Sequence, residues 1–120
     1  MSSNQEPDPS SLPVRRFVDE SYVPLCETLN EVRQNIDWLD REIVRLMAER
    51  GRYVIDATRF KRDAFQVSSP ARVEDVMSKV RDLASERGLE PGIAEKTYRA
   101  MIAAFIADEH TWFARTELVE

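Results

Sequence analysis

Residues 25–60 read LCETLNEVRQNIDWLDREIVRLMAERGRYVIDATRF, and their spacing decides the fold. Apolar side chains recur at Leu25, Leu29, Val32, Ile36, Leu39, Ile43 and Leu46, in alternating steps of four and three. The same stepping passes through Arg50, Tyr53, Ala57 and Phe60, with no internal proline. That pattern predicts one helix with a heptad-like seam, roughly 36–38 residues long, with Thr28 or Asn30 as its starting cap. At ~1.5 Å per residue it spans about 55 Å. A compact chain of this size has a diameter near ~35 Å, so it cannot cover the seam by itself. A second copy of the same chain is the economical cover, and the geometry predicts a homodimer.

Outward from that helix, two shorter ones follow. Ser69 is the expected N-cap of the second, Pro70 fits its first position and Gly88 ends it. Val73, Val76, Met77, Val80, Leu83 and Ala84 form its apolar face. The third starts at Pro91 and carries Ala94, Tyr98, Met101, Phe105 and Trp112 as its stripe to about residue 117. A loop is expected at 63–68. No useful β-alternation occurs, so the fold class is all-α: one long helix and two shorter ones. Residues 1–24, rich in Pro, Ser and Asp, read as a flexible tail or arm, and 25–120 as one helical domain.

Composition excludes several classes. Three glycines in 120 residues leave no phosphate-cradling loop. A lone Cys26 rules out an intrachain disulfide or a Cys-based zinc site. A lone His110 makes a catalytic triad improbable. No apolar run reaches the ~18 residues of a membrane span. The N-terminus lacks a secretory signal pattern, so a reduced, cytoplasmic protein is the expectation.

Charge is unevenly placed. Between Arg41 and Arg62 seven cations face three anions, a net +4 inside a chain of net −5. Such a local field suits a small anionic ligand rather than nucleic acid, which would need a basic surface overall. For most of these cations the ordinary reading is a solvated face with pairs such as Arg45–Glu49 and Arg52–Asp56. Arg50 differs, because it occupies a seam position. A guanidinium there needs an internal ion pair or serves as a bidentate anchor for a carboxylate. Lys61, eleven residues on, returns to within roughly 20° of the same face and lies about 16 Å along the axis. Arg33, about 25 Å from Arg50 on this helix, reaches such a site only from a partner subunit; otherwise it pairs with Asp37. Arg72, in the first turn of helix two, opposes the helix dipole unless an anion is held there, or is a tolerated mismatch. Glu109 sits on the stripe of helix three, either paired with a buried cation, Arg50 foremost, or protonated inside a pocket. His110 is rotated toward the surface, and Met47, Met77 and Met101 read as core filler.

The segments LNEVRQNIDWLDREIVRLMAER (29–50), RFK (59–61), PARV (70–73) and FIADE (105–109) resemble the all-helical (AroQ-type) chorismate mutases over roughly Leu29 to Phe113. The resemblance implies an intertwined helical homodimer with two sites, each lined by cations from both chains. It implies that Arg33 is lent across the dimer, Arg50 binds a carboxylate within its own chain, and Lys61 contacts the ether oxygen and a carboxylate. Arg72 would complete the substrate site, and Glu109 would face the ether oxygen. The implied reaction, chorismate to prephenate, is unimolecular and needs no metal or cofactor. The enzyme selects the folded diaxial conformer and sets cations where charge develops on the breaking C–O bond. In that scheme Glu109 helps only as a protonated donor, so activity is expected to fall at higher pH as it ionises. Two positions depart from the typical mutase: Val73 replaces a glutamate that meets the substrate hydroxyl, and Phe105 replaces a small polar residue. Both resemble the isochorismate-pyruvate lyases, a sister branch on the same scaffold, so the lyase stands second to the mutase. A helical dimerisation or regulatory module without turnover is the alternative from another class. A cavity shared by Arg50, Lys61 and Glu109 separates enzyme from module.

Overall fold

The computed structural model describes residues 5–119, and these contain helices and no strand. Four α-helices follow in order: α1 (Leu29–Ala57), α2 (Ala64–Ser68), α3 (Pro70–Glu86) and α4 (Pro91–Phe113), with a 3-10 turn at Thr58–Phe60 after α1. The chain divides into two compact units, one up to Met47 and one from Ala48 onward.

In the first unit, Thr28 supplies the cap for α1. Its hydroxyl accepts from the Glu31 N–H at 3.3 Å, and the Glu31 carboxylate reaches back to the Glu27 N–H at 3.4 Å. The first bond satisfies one of the four orphan N–H groups at the helix start, and the second ties down the residue just before the cap. The Asn30 N–H also donates to the Pro9 carbonyl at 3.0 Å. The seam of α1 is bare: Ile36, Leu39, Ile43 and Leu46 are each 50–53% exposed. Met47, expected as core filler, is also exposed.

In the second unit, the core lies between α3 and α4. Val80 and Ala84 of α3 meet Ala94 of α4, with Val76 and Tyr98 packed against them. Met77 is wholly buried, whereas Leu83, expected on the same face, points out. Gly88 ends α3 as expected: its φ of 74° is left-handed. The Leu89 N–H then bonds the Ala84 carbonyl at 2.9 Å, which closes the helix end. Arg99 of α4 forks onto Glu74 of α3 at 3.0 and 3.2 Å. The hydrogen bond and charge of Arg99 hold the Glu74 carboxyl below its usual range. This tie is therefore present at neutral pH and is lost as pH falls through that lowered value.

Four expectations are corrected. The long helix stops at Ala57 rather than continuing to about residue 62, because Thr58 is buried and the chain tightens into i→i+3 bonding, with the Lys61 N–H on the Thr58 carbonyl at 3.1 Å. The expected loop at 63–68 contains α2, capped by Asp63, whose carboxylate accepts from the Gln66 N–H at 2.9 Å. Ser69 does not cap α3 through its side chain; it is left-handed at φ 41°, and its hydroxyl turns back to the Gln66 carbonyl. The expected third helix, α4, ends at Phe113, short of residue 117.

Met77→Ala should lower unfolding stability by about 2–5 kcal/mol, since it empties the most enclosed apolar site. Urea denaturation followed by circular dichroism checks this; a loss well under ~1 kcal/mol would contradict the packing described.

Candidate functional site

The 3-10 turn matters because it redirects the chain. Lys61 follows it in an extended conformation, φ −102° and ψ 134°, rather than continuing the face of α1 that carries Arg50. The Lys61 ammonium donates to Oε2 of Glu109 on α4 at 3.1 Å. Glu109 is 3% exposed and the Lys61 side chain 20%. The expected Arg50–Glu109 pair is thus replaced by Lys61–Glu109. The straight-helix register put both cations on one face, and the break after Ala57 leaves Lys61 as the cation that reaches the carboxylate.

Beside this pair lies a cavity of about 290 Å³ within the second unit, and its wall includes Arg50, Lys61, Arg72, Phe105 and Glu109. That volume is close to the lower end of the ~300–1,000 Å³ usual for small-molecule sites. Val54, Val67, Val76 and Ile102 supply an apolar lining. A second cavity of about 530 Å³ lies between the 3-10 turn and residues 116–119. Lys61 touches both, but only the smaller one joins it to Arg50 and Glu109.

The cations of this wall are compensated unequally. Lys61 has Glu109. Arg72 has Asp75, three residues along α3, at 2.8 Å. That bond relieves the conflict with the helix dipole for which an anion was expected. Hydrogen bonds from Lys79 and then Arg72 hold the Asp75 carboxyl below its usual range. Arg50 has no carboxylate partner among the described residues; its guanidinium carbon instead lies 6.0 Å from the Tyr98 ring centroid and 5.6 Å from that of Phe105. Such contacts attract a cation without neutralising it. Arg33 lies in the first unit, exposed, and forms no pair with Asp37. Asp56, expected opposite Arg52, is taken by Arg59 at 3.1 Å.

Two features went unseen in the sequence. His110 is half-buried rather than on the surface, with Nε2 3.2 Å from the Ser68 hydroxyl. Ser68 and Ser69 enter the cavity wall because α2 brings them there. The spacing Asp63-x-x-Gln66 was the available signal for that helix, since it is a capping pattern. No cluster of His, Cys, Asp and Glu suited to a metal ion occurs among the described residues. No helix among them is long and apolar enough to cross a membrane.

The second unit thus combines a helical frame with a small, cation-rimmed pocket and an ion pair whose carboxylate is buried. Residues 32–110 match the family described as chorismate mutase type II. The chain is 30% identical over 91 residues to an isochorismate pyruvate lyase of Pseudomonas aeruginosa, covering 76% of this chain and 90% of that one. It is 28% identical over 79 residues to a chorismate mutase of Methanocaldococcus jannaschii, covering 65% and 80%. The chain belongs to the type II chorismate mutase family.

Removing one partner of the buried pair should be destabilising. Lys61→Ala leaves Glu109 enclosed without its cation and should cost about 3 kcal/mol at neutral pH. The double variant Lys61→Met with Glu109→Met should recover most of that loss. Denaturation of the two side by side checks the pairing; equal losses would contradict it.

Proposed function

We propose that this chain is a chorismate mutase, an isomerase that rearranges chorismate to prephenate by holding one conformer and stabilising developing charge. The observation that carries the reading is Arg50: a half-buried guanidinium in a cavity wall with no carboxylate of its own. A dicarboxylate substrate supplies the missing partner through a bidentate bond. Lys61 is the electrostatic stabiliser of the ether oxygen, and Glu109 holds it in place. Arg72, at the mouth of α3, binds substrate after exchanging Asp75 for it. No step calls for a nucleophile, metal or cofactor.

The reading includes a homodimer in which a second copy covers the bare seam of α1 and lends its own Arg33 to the site. The half-exposed Ile36, Leu39, Ile43 and Leu46 support it, since an apolar stripe of that length is unstable in water. Residues 25–120 form the catalytic domain, with 1–24 as an arm, and the lone Cys26 suits a reducing cytoplasm.

A second reading, isochorismate-pyruvate lyase, is favoured by Phe105 and Val73 in the cavity wall and by the Pseudomonas relative. The module without turnover is disfavoured, because Arg50, Lys61 and Glu109 share a cavity rather than closing into a packed core.

Purified protein incubated separately with chorismate and isochorismate tests the choice. Prephenate from chorismate is expected; salicylate and pyruvate from isochorismate alone would move the assignment to the lyase, and neither product would support the module. Lys61→Ala should lower kcat by about 10²–10³-fold. Glu109→Gln should keep more activity than Glu109→Ala, because the amide oxygen can still accept from Lys61 and hold it in place. Equal losses in the two variants would remove that holding role. Leu39→Glu should give a monomer by sedimentation and abolish turnover together; a dimer with full activity would refute the shared site.

A further inference from the structure

Arg50 is followed by Gly51, a glycine in a helix interior, where it weakens the helix and needs a reason. The reason is a ring. A Cβ at position 51 would lie 2.8 Å from Cε1 of Phe105, closer than packed atoms allow. Gly51 is buried, so its missing side chain is the space that Phe105 occupies. From there Phe105 lies 5.6 Å from the Arg50 guanidinium carbon, and Tyr98, seven residues earlier on the same helix, lies 6.0 Å from it. Residues seven apart share a helix face, so the two rings form one wall along α4. Tyr98 is itself packed against the α3–α4 core, which fixes that wall.

Every other cation of the cavity named above is held by a carboxylate that also cancels its charge. Arg50 is held by π faces, which restrict a guanidinium while leaving its charge and its N–H donors available. We infer that Phe105 is a positioning residue: admitted by Gly51 and assisted by Tyr98, it pre-aims Arg50 for the substrate carboxylate without competing for it. The inference rests on the reading that Arg50 receives that carboxylate. Its consequence is that affinity, more than the chemical step, depends on the ring at position 105.

The test uses the full chain with chorismate as substrate. Phe105→Leu keeps an apolar side chain and removes the π face; KM should rise about fivefold to tenfold with kcat within about twofold. Phe105→Tyr restores the face and should return KM to within about twofold of wild type. Gly51→Ala should raise KM as Phe105→Leu does, and the double variant should be no worse than Phe105→Leu alone, because the Ala then clashes with nothing. An unchanged KM in Phe105→Leu, or a Phe105→Tyr as impaired as Phe105→Leu, would overturn the inference. Wild-type protein that turns over no chorismate would instead overturn the functional reading. Positioning is then read from 15N relaxation of the Arg50 Nε–H: ordered in wild type and mobile in Phe105→Leu is expected, and equal mobility in both would overturn it.

Discussion

Lys61 and Glu109 stand forty-eight residues apart and meet at 3.1 Å, with the carboxylate almost wholly enclosed. An enclosed carboxylate without a cation would be strongly destabilising, so the helices must bring these two groups together. That requirement explains the break after Ala57. A straight helix would carry Lys61 onward along the direction of α1; the 3-10 turn and the extended residue at 61 send it to α4 instead. The short α2 and the left-handed Ser69 then turn the chain so that α3 begins beside the cavity. The ion pair and the cavity are products of one chain reversal.

Around that pair the charges are graded. Lys61 is neutralised inside the fold, Arg72 at its edge, and Arg50 by no carboxylate of the described chain. A unimolecular rearrangement of a dicarboxylate asks for little else: a shape that holds one conformer, and positive charge set where negative charge grows. The acid on α4 keeps Lys61 folded inward.

Much of the frame was legible in the sequence. Pro70 and Gly88 bound α3 because each sits where its backbone preference is needed, and the four–three stepping from Leu29 marks α1. Glu109 stood out as a charge on an apolar stripe, and its burial agrees. Its partner did not stand out, because register along a straight helix treats Arg50 and Lys61 alike and the break between them follows from tertiary burial of Thr58. α2 hid inside a presumed loop: five residues are too few for a hydrophobic period, and only its capping pair betrays it. His110 was misplaced for a related reason, since its partner Ser68 reaches it only once α2 forms.

The central claim is that Arg50 is held with its charge unspent so that a substrate carboxylate can complete it. A crystal structure of the protein with prephenate tests this most directly. The account predicts a carboxylate of prephenate within hydrogen-bond distance of two Arg50 nitrogens, inside the cavity that Lys61 and Glu109 share. Prephenate bound elsewhere, or bound there with Arg50 still facing only its two rings, would contradict it.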